Sequence, residues 1–95
     1  MSNLNFLNTL ENVINDRITN NNENSYTASL IKKGELEICK KIGEEATEII
    51  IAATKEDSSR VIYESADLIY HLLVLLNLKE IKLEEVVSEL EKRNK

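Results

Sequence analysis

Proline and tryptophan are missing from the 95 residues, glycine occurs twice, and cysteine and histidine occur once each. With no proline, and glycine only at Gly34 and Gly43, little in the chain interrupts long helices. With Cys39 as the single cysteine, no internal disulfide can form, and no Cys/His zinc spacing exists. Positive charge is also short. The net charge of −5 argues against a phosphate-backbone binder, which would carry a basic stripe, so no nucleic-acid partner is expected. One small phosphorylated ligand held by a few local lysines stays compatible with that charge. The opening "MSNLNFLNTLENV" has no basic region followed by an apolar run, so no secretion signal is expected. The most apolar stretch, Leu68 to Leu78, contains Tyr70, His71 and Asn77 and is too short to span a bilayer. The expectation is a cytoplasmic protein with no membrane partner.

What is present is Leu, Ile, Glu and Lys, with 42% hydrophobic and 31% charged residues, which points to an all-α fold. The length predicts a single domain over 1–95. A chain this short buries only part of its surface, so partner chains often complete the core. A first helix is expected from about Leu4 to Ile18, its apolar set Leu7, Leu10, Val13, Ile14 and Ile18 lying close to a 3.6 period. "TNNNENS" from Thr19 to Ser25 reads as a loop. Ser25 can cap a short helix through about Lys32, with Gly34 as its exit. Two long helices follow, about Glu35 to Lys55 and Ser58 to Leu78, with Asp57 or Ser58 capping the second. "NLKEIK" turns the chain into a last amphipathic helix over about Leu83 to Arg93, with Val86, Val87 and Leu90 apolar. That makes four to five helices around an antiparallel hairpin. The second long helix is apolar on almost every side, and a helix apolar all round is buried all round. Three other short helices can hardly cover it, so homodimerisation into a helix bundle is expected.

The acids fall on defined faces. On the first long helix Ile38, Ile42, Ala46, Ile49 and Ala53 form the apolar stripe. Glu45 lies at its edge, Glu48 about 60° further round, Lys41 between them, and Glu44 points outward. On the second, "ESAD" places Glu64 and Asp67 three apart on one face, with Arg60 before them and His71 after. Helices joined by a short turn pack antiparallel, so the pairs Glu45/Glu48 and Glu64/Asp67 reach nearly the same height. Buried carboxylates need paired cations or a metal, and oxygen-only ligation suits Mg²⁺ or Mn²⁺. An EExxE run alone is often a solvated helix face; the second pair inside an apolar helix favours the metal reading.

EExxE followed by ExxD, here Glu44, Glu45, Glu48, Glu64 and Asp67, resembles the MazG-type all-α nucleotide pyrophosphohydrolases. "SYTASLIKKG", "KIGEEATEIIIAA" and "ESADLIYHLLVLL" resemble the phosphoribosyl-ATP pyrophosphohydrolases more particularly, and the likeness covers nearly the whole chain. No fused cyclohydrolase domain is evident, so the stand-alone form is expected. The resemblance implies hydrolysis of the α–β phosphoanhydride of phosphoribosyl-ATP to phosphoribosyl-AMP and pyrophosphate, the second step of histidine biosynthesis. It implies Mg²⁺ on the four carboxylates, with Glu45 or Glu48 taking the proton of the attacking water. It also makes Ser25, Tyr26 and Thr27 phosphate or ribose contacts, although the same residues can simply start a helix. Lys33 is solvated unless the short helix folds over the site, and Lys41 can serve as ion-pair partner or phosphate ligand. Glu44 and His71 stand beside the acids; such a histidine is more often a satisfied core or interface group. Cys39 reads as a small buried hydrophobe, and Gly43 as a place where a neighbouring helix or ligand comes close. Two rival readings remain: a house-cleaning nucleoside triphosphate pyrophosphohydrolase, and a non-catalytic helical dimerisation module.

Overall fold

In the computed structural model, which describes residues 3–20 and 25–94, five helices follow one another and no strand occurs among the described residues. They are α1 (Phe6–Thr19), α2 (Tyr26–Lys33), α3 (Glu35–Lys55), α4 (Ser58–Leu78) and α5 (Leu83–Arg93). The expected bounds of α3, α4 and α5 match, and α1 starts two residues later than expected. Most of the loop expected over Thr19 to Ser25 lies outside the described residues.

Local chemistry sets the breaks. Ser25 Oγ accepts from the Ala28 amide at 3.0 Å and opens α2. Gly34 then turns the chain from α2 into α3 at φ +103° and ψ 165°, a region essentially restricted to glycine. Asp57 opens α4, accepting from the Arg60 amide at 3.2 Å and the Ser59 hydroxyl at 2.7 Å. The Ser59 bond, then the Arg60 amide, hold its carboxyl below the ordinary 3.8. At the far end, the Ile81 amide reaches back to the Leu76 carbonyl at 2.9 Å across Glu80, which sits at φ +59°. That is the left-handed helix stop usually given to glycine.

The antiparallel α3–α4 hairpin is the frame, with α1 on α4 and α2 wedged against α1 and α3. Ile14, Leu30, Ile38, Leu73 and Val74 form the buried core, with Leu10, Ile18, Ile42 and Tyr70 packed around it. Each fully buried aliphatic side chain contributes about 1.5–3 kcal/mol. The Leu83 amide donates to Glu11 Oε2 at 2.6 Å and ties the start of α5 to α1.

The inner face of each long helix advances by alternating threes and fours. On α3 it is Ile38, Ile42, Glu45, Ile49 and Ala52; on α4 it is Glu64, Asp67, His71, Val74 and Leu78. The buried alanine is Ala52, while Ala46 and Ala53, expected in the apolar stripe, are exposed. The supercoiled pairing of two helices follows a 3.5-residue repeat, which rotates the buried face away from positions chosen on a straight wheel.

A second seam on α3 faces outward: Leu36, Cys39, Gly43, Ala46, Ile50 and Ala53 are all exposed. Cys39 is therefore not the buried hydrophobe expected from composition. A Cβ added at Gly43 would meet nothing within 4 Å, so no neighbouring helix of this chain approaches it. On α4, Ile62, Tyr63, Ile69 and Leu72 are likewise exposed in the single chain. At 21 residues and a mean hydropathy of 1.4, α4 has the length and apolarity to cross a bilayer by composition alone. The stretch judged too short from sequence is thus part of a longer apolar helix. Core helices of water-soluble bundles share that composition, and the inner face of α4 holds charged groups with partners.

Candidate active site

The inner faces of α3 and α4 become polar together. Glu45 on α3 meets His71 on α4: Glu45 Oε1 lies 2.7 Å from His71 Nδ1, and the two side chains are 13% and 5% exposed. His71 Nδ1 also lies 2.9 Å from the Asp67 carbonyl oxygen. Two turns back from His71 along α4, Glu64 is 8% exposed and accepts from Arg60 Nη2 at 2.6 Å. Arg60 in turn lies 4.8 Å over the Tyr63 ring. No buried side-chain polar atom among the described residues lacks a partner, as the cost of burying an unpaired charge requires.

Helix α2 closes one side. The Tyr26 hydroxyl lies 2.7 Å from His71 Nε2. Thr27 is fully buried and its hydroxyl bonds the Tyr70 hydroxyl. Tyr26, Tyr70 and His71 pack as one ring cluster, with centroids 5.5–5.9 Å apart. Burial first, then the charge of Glu45, raise the Tyr26 phenol above the ordinary 10.0.

The expected site residues divide. Glu45, Glu64, Asp67 and His71 share the inner side of the hairpin, with Asp67 partly buried. Glu48 and Glu44 are exposed on α3, Lys41 is partly buried, and Lys33 is exposed at the end of α2. Thr27 braces α2 against α4 rather than offering its hydroxyl outward. Ser25 caps α2, and Tyr26, half-exposed, stands at the helix start. The four carboxylates expected to converge do not close into a metal-sized cluster among the described residues. Like charges repel, and each buried acid takes its nearest cation or donor instead: Arg60 for Glu64, His71 for Glu45. The donor set still suits a hard divalent cation, because Glu45, Glu48, Glu64 and Asp67 offer only oxygen from facing helices. The Glu45–His71 contact was not legible from spacing, since it depends on how α4 is rotated against α3. The placement of His71 one turn past Asp67 was its only signal.

A helical hairpin with acids three apart on both members, strand-free among the described residues, is consistent with the MazG-type all-α nucleotide pyrophosphohydrolases, the class that the motif resembles. Residues 7–94 match the model of the family described as phosphoribosyl-ATP pyrophosphohydrolase. A phosphoribosyl-ATP pyrophosphatase of Sulfurisphaera tokodaii is 50% identical over 91 residues, covering 96% of this chain and 97% of that protein. One from Clostridium novyi is 48% identical over 95 residues, covering 100% of this chain and 86% of that protein. The histidine biosynthesis bifunctional protein HisIE of Buchnera aphidicola is 50% identical over 90 residues, which are 95% of this chain and 44% of that longer protein. The chain belongs to the phosphoribosyl-ATP pyrophosphohydrolase family, a family of hydrolases.

Proposed function

We propose that this chain hydrolyses the α–β phosphoanhydride of phosphoribosyl-ATP, releasing pyrophosphate and phosphoribosyl-AMP in the second step of histidine biosynthesis, in the cytoplasm. The observation that carries this reading is the family match over residues 7–94. The inward-facing acids of α3 and α4 support it. Glu45, Glu48, Glu64 and Asp67 would hold Mg²⁺, or Mn²⁺ in its place, by oxygen alone. Bound there, the cation would neutralise phosphate charge and make a water more acidic. Glu45 or Glu48 takes the water's proton, since a carboxylate beside the reacting oxygen can act as general base. Lys41 and Lys33 meet phosphate oxygens as point charges. Ser25 and Tyr26 stand at the α2 start, where backbone N–H groups attract the ligand's remote phosphate. Binding energy there can fix the scissile bond over the acids.

The active form is a homodimer, or a dimer of such dimers. The surface of the single chain is 7169 Å², whereas a folded monomer of 10.9 kDa should expose about 5,600 Å². Its radius of gyration of 14.4 Å likewise exceeds the roughly 12.4 Å of a compact domain of this length. An excess of about 1,600 Å² per chain is what an obligate interface buries. The outward seam of α3 and the exposed Ile62, Ile69 and Leu72 of α4 supply the apolar surface.

The deciding experiment is pyrophosphate release from phosphoribosyl-ATP by purified protein, with and without Mg²⁺. Mg²⁺-dependent turnover with kcat/KM far above that for ATP is expected. Equal efficiency on ATP or deoxynucleotides would replace this reading with the house-cleaning one.

A further inference from the structure

His71 is the only histidine of the chain, it is 4% exposed, and both ring nitrogens are engaged. Nδ1 faces two acceptors, Glu45 Oε1 at 2.7 Å and the Asp67 carbonyl oxygen at 2.9 Å. A backbone carbonyl cannot donate, so Nδ1 carries a proton. Nε2 then accepts from the Tyr26 hydroxyl at 2.7 Å when the ring is neutral. Tyr26 and Tyr70 lie edge-on to the imidazole at 5.7 and 5.5 Å and fix its plane. Tyr26 is itself stacked on Tyr70, whose hydroxyl bonds Thr27. Two consecutive residues of α2 therefore grip two consecutive residues of α4. A continuous line of hydrogen bonds runs from the start of α2, through His71 on α4, to Glu45 on α3.

We propose that His71 is a positioning residue of the reaction. It holds Glu45 by Oε1 and leaves Oε2, which has no partner among the described residues, oriented for a ligand; Tyr26 braces the ring from α2. A carboxylate on a helix surface samples several rotamers, and a donor fixed on a neighbouring helix selects one. Partners of this kind around metal-binding groups typically change affinity or activity by about 10- to 100-fold. The line also joins Glu45 to the helix start at which the remote part of the substrate is expected. This inference rests on the reading of Glu45 as a group of the reaction.

Three measurements test it. Long-range ¹H–¹⁵N correlation of the metal-free protein reports His71 without ambiguity, because it is the sole histidine. In the neutral ring Nδ1 should carry the proton and Nε2 should be bare, as the two acceptors at Nδ1 require; the opposite tautomer overturns the proposal. Next, His71→Asn keeps a donor at the δ position and His71→Gln keeps a nitrogen only at the ε position. His71→Gln should weaken Mn²⁺ binding, followed by electron paramagnetic resonance, by about 10- to 100-fold. It should lower kcat similarly with KM little changed, and His71→Asn should recover most of both. Equal loss in the two variants would mean that His71 is only a packing group. Finally, Tyr26→Phe should move the Nε2 resonance and lower kcat less than His71→Gln; an unchanged resonance removes Tyr26 from the line. If the parent protein releases no pyrophosphate from phosphoribosyl-ATP, the functional reading fails, while the tautomer and the Mn²⁺ affinities still decide the role of His71.

Discussion

Glu64 and Tyr26 carry opposite lessons about single residues. Glu64 is a buried carboxylate whose charge is answered by one half-exposed arginine. Removing that partner leaves an unpaired buried charge, which costs about 1–3 kcal/mol. Arg60→Ala should therefore lower the melting temperature, by roughly 4–8 °C for each kcal/mol in a chain of this size. If Glu64 is a metal ligand, Mg²⁺ should restore more stability to Arg60→Ala than it adds to the parent, since the cation replaces the lost guanidinium. Equal stabilisation of both proteins by Mg²⁺ would remove Glu64 from the proposed set. For Tyr26, burial and the charge of Glu45 favour the neutral phenol in the folded state, so its pKa lies above 10.0. A raised folded pKa gives stability that is complete below pH 10 and lost as pH rises through the folded value. Denaturant melts between pH 8 and 11 should show a shallower alkaline decline for Tyr26→Phe than for the parent. Parallel declines would mean that the phenol is not held neutral by folding.

At the scale of elements, the two left-handed positions behave differently under substitution. Gly34 sits at φ +103° and ψ 165°, so Gly34→Ala forces strain of about 1–3 kcal/mol at the joint that aims α2 over the hairpin. Glu80 holds φ +59° with a full side chain, at a cost of roughly 1–2 kcal/mol that glycine avoids. Glu80→Gly should raise the melting temperature by a few degrees at fixed protein concentration, and Gly34→Ala should lower it. Reversal of either sign would show that neighbouring packing, not the backbone, decides these turns. The element bounds themselves were legible in the residue order. Ser25, Gly34 and Asp57 act within a few residues of themselves, no proline interrupts the long helices, and Gly43 is carried inside α3 without breaking it. The rotation of the helices was less legible. Ala52 is buried where Ala53 was expected, and Cys39 lies outside, because the facing helix decides which edge of an apolar band it covers.

For the molecule as a whole, exposed apolar surface outweighs what a lone chain can hide. Ile50 and Ile69 lie on the outward faces of α3 and α4 and are 64% and 43% exposed. An aspartate at either position costs little if the chain is alone and much if a second copy covers it. Light scattering of the parent at micromolar concentration should give about twice the 10.9 kDa chain mass, or four times for a dimer of dimers. Ile69→Asp should dissociate or unfold it, whereas Glu84→Ala, on the exposed side of α5, should not. A folded parent monomer at that concentration would defeat the dimer.

The residue order by itself determined the all-helical class and the helix ends. These follow from turn chemistry and helical periodicity, which operate over a few residues. The likeness of "SYTASLIKKG" and "ESADLIYHLLVLL" to one enzyme family was legible on the same page. Only the tertiary structure decided that Glu45 meets His71, that Tyr26 reaches the same ring from α2, and that Thr27 is buried against Tyr70. Those contacts join residues 26 to 45 positions apart. They depend on the rotation and offset of whole helices, which the packing of the shared core sets and no local pattern records.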